Sequence, residues 1–363
     1  MNYNARLHNL QGLLSAHHCD ALIIEDCTNL FYLTGLELSS GALLVHANGA
    51  DLFVDGKYLE SCKKNSPFPV QLLVPAGIQT ILNNSSKQNI RKLAFDSATT
   101  SHKNYETLKA ASNCELVPWD SPLQQLRAIK DGDELGILRQ AGILGSQGFD
   151  FVCTLLKEGI SEKECAIELE IFWKRRGSKC LAFEPIIAFG PNSSMPHHRA
   201  GNDRLKSGDI VLIDIGVNLR HYHSDMTRIV FFKQPDTRLL TIHSIVQQAQ
   251  LAALKLCRPG TLIGELDVVA RNHITSQGYG PQFTHRLGHG VGLDIHEFPS
   301  IRNEAPFATI PLAPGMVITI EPGIYLPDIG GVRIEDTIVI TNDGFENLTN
   351  RKTDPIFLGG SDD

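Results

Sequence analysis

Asp214, Asp225, His289, Glu321 and Glu335 are residues whose types and settings can do chemistry together. Asp214 lies within Leu212-Ile213-Asp214-Ile215-Gly216. An ionised carboxylate in an apolar strand is expensive to desolvate unless it is paired or bound to a cation. Taken alone, such an aspartate is more often satisfied by backbone donors. Further on comes Ser224-Asp225-Met226-Thr227-Arg228, again flanked by strand-like sequence, and residues 216–221 can form the turn between two paired strands. A hairpin then sets Asp214 beside Asp225, and facing carboxylates repel unless a proton or a cation lies between them.

Three histidines follow, in His285-Arg286-Leu287-Gly288-His289-Gly290-Val291-Gly292 and at His296. Neutral imidazole is a common metal ligand. Glycines on both sides of His289 let the backbone approach a ligand closely. Glu321 ends the apolar run Thr319-Ile320-Glu321-Pro322-Gly323, and Glu335 sits in Val332-Arg333-Ile334-Glu335-Asp336. Either glutamate alone reads as a surface position. Together, four carboxylates and one imidazole make a hard, oxygen-rich set, better suited to Mn²⁺ or Co²⁺ than to a structural Zn²⁺. Two ions sharing carboxylates can activate a water for hydrolysis.

The elements that must position these groups are legible in outline. Leu7, Leu10, Leu13 and Leu14 are spaced for a helix over 4–18. Short apolar runs at 21–24, 42–45, 52–54, 70–74 and 93–95 read as strands, with Ala47-Asn48-Gly49 as a hairpin turn. A helix over 102–111 and a strand over 115–117 complete an α/β domain over 1–120. Pro118-Trp119-Asp120-Ser121-Pro122 interrupts regular structure and marks the boundary. Beyond it, 134–156 is helical in pattern, and Ser161 with Glu164 has the spacing of a capping box for a helix that Gly177 can close. Strands are expected over 186–188, 210–215 and 229–232, a helix over 241–257, and strands through the last hundred residues, notably 317–320 and 332–340. This second part, 125–355, reads as α+β.

Composition bounds the rest. A length of 363 residues favours two domains. The net charge of -7 and the absence of a basic tract make nucleic acid a poor partner. No run of 18 apolar residues is present, so no membrane span is expected. Residues 1–18 are polar and carry no apolar signal core, which points to the cytoplasm. The eight cysteines form no C-x-x-C pair and are expected to be reduced thiols.

These motifs resemble the metallopeptidase family of prolidases, Xaa-Pro aminopeptidases and methionine aminopeptidases, with its pita-bread catalytic fold. The resemblance covers roughly residues 125–350. It includes Leu126-Arg127-Ala128-Ile129-Lys130, Gly190-Pro191-Asn192-Ser193-Ser194-Met195-Pro196-His197 and Gly288-His289-Gly290-Val291-Gly292-Leu293. It continues through Glu321-Pro322-Gly323-Ile324-Tyr325 and Gly330-Gly331-Val332-Arg333-Ile334-Glu335-Asp336. The resemblance implies that Asp214 binds one ion and His289 the other, with Asp225 and Glu335 touching both. It makes Glu321 a ligand and the general base, His296 the stabiliser of the developing oxyanion, and His197 a lining of the substrate site. It places His285 near the scissile bond and has Arg333 orient the ligand carboxylates. The cofactors implied are two divalent ions, Mn²⁺ first, with Co²⁺ or Zn²⁺ as alternatives.

Within the family, Arg333-Ile334-Glu335-Asp336 is similar to the proline-handling branch, since methionine aminopeptidases tend to carry Glu-His there. An N-terminal domain like residues 1–120 precedes the catalytic domain in prolidases, aminopeptidase P and creatinase. Creatinase lacks the metal ligands, and the intact set also weighs against a non-catalytic binding protein that reuses the fold. The substrates implied are peptides with proline at the second position. A dipeptidase must capture the free carboxylate beyond the proline, usually with an arginine. Some dipeptidases carry it directly after the His-Glu-x-Pro segment, where this chain has Ser300, with Arg302 the nearest basic residue. That weighs toward an Xaa-Pro aminopeptidase, with the Xaa-Pro dipeptidase as the alternative. A homodimer is expected, with residues 1–120 at its interface or closing off the active site.

Overall fold

The computed structural model describes residues 1–73, 77, 81–82, 90–234 and 236–359. The chain divides into two units, Met1–Arg127 and Ala128–Asp363. In the first, strands β1 (Ala21–Ile24), β2 (Ala42–His46), β3 (Gly49–Val54), β4 (Val70–Leu72), β5 (Lys92–Asp96) and β6 (Glu115–Trp119) form one mixed sheet in the order β4-β3-β2-β1-β5-β6. The expected hairpin is β2–β3, closed by the pairing of His46 with Gly49. Ile23, Leu44, Phe53, Leu93 and Phe95 belong to its core, together with Leu108 of helix His102–Ala111. The helix expected over 4–18 runs Tyr3–Ala16 and buries Leu7, Leu10 and Leu14. Helices Cys27–Thr34 and Leu59–Asn65 lay outside the sequence expectation because both are too short to show periodicity. Val74, at the end of the expected 70–74 strand, lies outside the described residues.

The second unit is built on two sheets. One has the order β19-β11-β8-β7, from β7 (Ile186–Phe189), β8 (Ile210–Ile215), β11 (Met226–Phe232) and β19 (Ile356–Leu358). Between β8 and β11 stands a small hairpin, β9 (Asn218–Leu219) with β10 (Tyr222–His223). The other sheet has the order β13-β12-β14-β17-β18, from β12 (Gly288–Gly290), β13 (Glu297–Ile301), β14 (Val317–Ile320), β17 (Asp336–Ile340) and β18 (Phe345–Asn347). Strands β15 (Gly323–Leu326) and β16 (Gly330–Arg333) pair separately.

Each helix pair buries its apolar stripe on a sheet. Helices Gly132–Leu155 and Glu162–Lys174 share one cluster with Ile187, Val211, Ile213 and Val230, centred on Phe149 and Trp173. Helices Thr237–Leu254 and Ile263–Ser276 share another with Leu212, Ile318, Ile320, Ile334 and Ile338. Helix starts follow capping chemistry: Asp131 with Glu134, and Ser161 with Glu164, form reciprocal capping boxes. Helix Ile263–Ser276 falls where strands were expected. Its residues include Val268, Val269, Ile274 and Thr275, β-branched types that read locally as strand, and packing of its buried face overrides that preference. All eight cysteines are free thiols. Among the described residues no helix is long and apolar enough to cross a membrane.

Candidate metal centre

The five ligand-type residues converge because three strand pairings end in the same place. Strand β8 runs antiparallel to β11, with Asp214 opposite Thr227, so Asp225, two residues before Thr227, approaches Asp214 from the neighbouring strand. The β9–β10 hairpin fills the connection, and Tyr222 anchors it by donating its hydroxyl to Glu134 at 2.8 Å. Strand β14 pairs with β17 as far as Ile320 opposite Asp336, and β15 pairs with β16 from Gly323 opposite Arg333. Glu321 and Glu335 occupy the gap between these two ladders and so face one another. His289 comes from β12, inserted between β13 and β14.

The glycines beside His289 serve this insertion. A Cβ at Gly288 would collide with the Thr319 carbonyl, and one at Gly290 with the carbonyls of Phe298 and Glu297. The close approach that glycine permits is therefore to flanking strands, where a ligand was expected.

Potential ligand atoms of Asp225, His289 and Glu335 all lie within 4.8 Å of one another, and all three residues are buried. His289 Nε2 stands 3.6 Å from Asp225 Oδ2 and 3.4 Å from Glu321 Oε1. Its Nδ1–H donates to the Gly290 carbonyl at 3.0 Å, which leaves the Nε2 lone pair facing the carboxylates. Asp214 accepts from Arg333 Nη2 at Oδ2, while its buried Oδ1 has no hydrogen-bond partner. A buried acceptor without a donor, in the same cavity as these carboxylates, fits a cation site.

The electrostatics agree. Burial raises the pKa of Asp214. Burial and then the charges of Glu335, Asp214 and Glu321 push Asp225 far above the ordinary carboxylate range. Glu335 is pushed up likewise by burial and by Glu321 and Asp214, and burial brings Glu321 to about 7. Without added positive charge the cluster holds protons, and divalent cations at the same place favour the ionised form. Burial lowers His289 to about 3, which keeps its imidazole neutral, as a ligand must be.

Around the ligands runs a hydrogen-bonded shell. Arg333 donates Nη1 to Tyr325 Oη at 2.7 Å and Nε to Thr227 Oγ1 at 3.1 Å, besides its pairing with Asp214. Thr227 donates onward to Glu335 Oε2 at 2.8 Å. His285 Nδ1–H donates to the Arg286 carbonyl, so its Nε2 accepts from Tyr325 Oη at 2.9 Å. Burial and then Arg333 lower its pKa to about 3, so the ring is neutral with both nitrogens engaged. His296 stacks edge-on against His289, ring centroids 4.3 Å apart, and desolvation, then Arg286 and His197, lower its pKa. A cavity of about 560 Å³ opens onto the cluster, lined among others by His197, His285, His296, Arg302 and Arg333. The five candidate ligands and His197, His285, His296 and Arg333 all line this cavity, whereas Ser300 does not. Thr227 and Tyr325 escaped notice as contributors, although both lie within motifs already quoted.

Two sheets that hold carboxylates and an imidazole over a cavity have the donor set of a metal-dependent hydrolase of the metallopeptidase class. Residues 136–342 match the model of metallopeptidase family M24, and residues 6–129 match the creatinase/prolidase N-terminal domain. The chain belongs to metallopeptidase family M24, in its pita-bread form with an N-terminal α/β domain. It is 35% identical over 354 residues to a Xaa-Pro dipeptidase of Pyrococcus horikoshii, covering 97% of this chain and 99% of that one. A solved Xaa-Pro dipeptidase from Bacillus anthracis superposes with a TM-score of 0.95 at 31% identity, covering 98% and 100% of the two chains. An X-Pro aminopeptidase from Thermotoga maritima MSB8 superposes with a TM-score of 0.88 at 30% identity, covering 97% and 100%.

Proposed function

We propose that the chain is an Xaa-Pro dipeptidase, a prolidase, that cleaves the bond before a C-terminal proline. The observation that carries this is likeness over nearly the whole of both chains to proteins described as Xaa-Pro dipeptidases. It shifts the balance away from the aminopeptidase favoured by Ser300 at the expected arginine position. The geometry offers a reason. Ser300 pairs with His289 in the β12–β13 ladder, and its hydroxyl accepts from Arg302 Nε at 3.1 Å, so Arg302 faces the cavity from two residues farther on. Arg302 is then the group that captures the substrate carboxylate. The aminopeptidase remains the second reading, supported by the likeness to the Thermotoga enzyme.

Asp214, Asp225, His289, Glu321 and Glu335 would hold two divalent ions, Mn²⁺ by preference, with Co²⁺ or Zn²⁺ also compatible with the donors. When bound, the ions supply an activated water and polarise the scissile carbonyl. Glu321 takes the proton of the attacking water. His296 donates to the oxygen that gains charge, and His197, which lines the same cavity, positions the substrate. Arg333 and Thr227 hold Asp214 and Glu335 in place. The assembly is a homodimer, to which the N-terminal domain contributes; an active monomer by light scattering at micromolar concentration contradicts that part.

Turnover of Gly-Pro beside Gly-Pro-Pro, with Mn²⁺ added, tests the substrate class. A dipeptidase hydrolyses Gly-Pro preferentially, and faster cleavage of the tripeptide identifies an aminopeptidase. A hydrogen bond to a charged group contributes about 1.5–3 kcal/mol, so Arg302→Ala should raise KM for Gly-Pro at least about tenfold. An unchanged KM removes Arg302 from the carboxylate site.

A further inference from the structure

Glu162 is fully buried at the start of helix Glu162–Lys174. Its carboxylate accepts four hydrogen bonds. Oε1 takes Phe189 N–H at 2.8 Å and Asn192 Nδ2 at 2.9 Å, and Oε2 takes Gly201 N–H at 2.9 Å and His198 Nε2–H at 2.8 Å. These donors span the segment from the end of β7 to Gly201. That segment carries Pro196, His197, His198 and Arg199 along the cavity wall. The backbone adds two ties from the same helix start, Glu162 N–H to the Asp203 carbonyl and Lys163 N–H to the Gly201 carbonyl. From the other side, Arg333 Nη1 donates to the Pro196 carbonyl at 3.4 Å while its Nη2 holds Asp214. His197 therefore sits between two anchored neighbours: Pro196, tied to the ligand cluster, and His198, tied to Glu162.

We propose that Glu162 is a positioning residue for catalysis, which fixes His197 over the ligand cluster through His198, Asn192 and the backbone of the segment. The proposal rests on the metallopeptidase reading and on the role given there to His197. A buried carboxylate with four donors is a rigid hub, and losing it strands the Phe189 N–H in the interior, although Asn192 Nδ2 keeps Asp203 Oδ2 as a second acceptor. Displacement of a substrate-positioning group by about 1 Å can cost a hundredfold in rate.

The test is Glu162→Gln, which keeps the shape but can accept on only one side. Alone, it should lower kcat on an Xaa-Pro dipeptide by about tenfold to a hundredfold at full metal content, with KM little changed. In a His197→Ala background the same substitution should cost less than about twofold, since the group it positions is gone. Amide exchange across 196–201 should quicken while helix Thr237–Leu254 stays protected. Equal losses in both backgrounds, or unchanged exchange across 196–201, overturn the proposal. His197→Ala with unchanged kcat overturns it too. A wild-type enzyme without metal-dependent Xaa-Pro turnover fails the functional reading itself, visible before any variant is made, and the proposal falls with it. Asn192→Ala removes one donor and serves if Glu162→Gln does not fold. It should show the same dependence on His197 at a smaller loss, and additive losses overturn the proposal.

Discussion

In the proposed mechanism Glu321 stays ionised beside the other candidate ligands and yet accepts a proton during turnover. Burial, partly offset by Arg333, brings it to about 7, and nearby cations favour its charged form, so both states lie within reach near neutral pH. Glu321→Gln removes basicity and charge while keeping size. The expected result is a loss of at least about a hundredfold in kcat, measured on a sample whose metal content is shown to be unchanged. Turnover near wild type with metal retained would remove Glu321 from the base role. The candidate ligands stood out in the sequence because an acid in an apolar run, as at Asp214 and Glu321, breaks the local pattern. Thr227, Tyr325 and Glu162 break none: a hydroxyl in a strand or an acid in a first helical turn is ordinary, and only the fold shows what each one touches.

At the scale of elements, the catalytic unit is tied together by buried polar contacts across distant segments. Lys130, just ahead of helix Gly132–Leu155, pairs with Glu297 at the start of β13; Nζ to Oε1 is 2.6 Å and both side chains are buried. Removing one partner of such a pair leaves an uncompensated charge and costs about 3–5 kcal/mol. Lys130→Met should lower the denaturation free energy by about that much, read from urea midpoints at constant slope. Because Glu297 adjoins His296, turnover should fall as well; a change below about 1 kcal/mol would mean that water already screens the pair. Strands and capped helices with clear periodicity were readable in advance, as at Ser161 with Glu164. Helix Ile263–Ser276 was not, because its stability comes from the packing of Leu266, Ala270 and Ile274 against the sheet. Nor could spacing say that Gly288 and Gly290 admit neighbouring strands.

For the molecule as a whole, the carboxylate cluster links metal, pH and stability. A carboxyl whose pKa is higher folded than unfolded binds its proton more tightly in the fold, so its stabilising contribution fades as pH rises toward the folded pKa. For Glu321 that window runs from 4.5 to about 7. His289 and His285, lowered from 6.5 to about 3, act oppositely, adding stability as pH rises to 6.5. Well above 6.5 both imidazoles are neutral in either state, and the carboxylate contribution is what still changes. The carboxylates of the metal-free protein should therefore cost it thermal stability as pH rises through about 7, and Mn²⁺ should abolish that fall by occupying the site. A flat profile without metal would mean that the carboxylates are not in mutual contact. The central claim, a metal-dependent hydrolysis of Xaa-Pro bonds, is tested most directly by following Gly-Pro turnover through chelation and Mn²⁺ return. The account predicts that activity disappears with the metal and comes back with it. Full turnover in a preparation shown to be metal-free would contradict it.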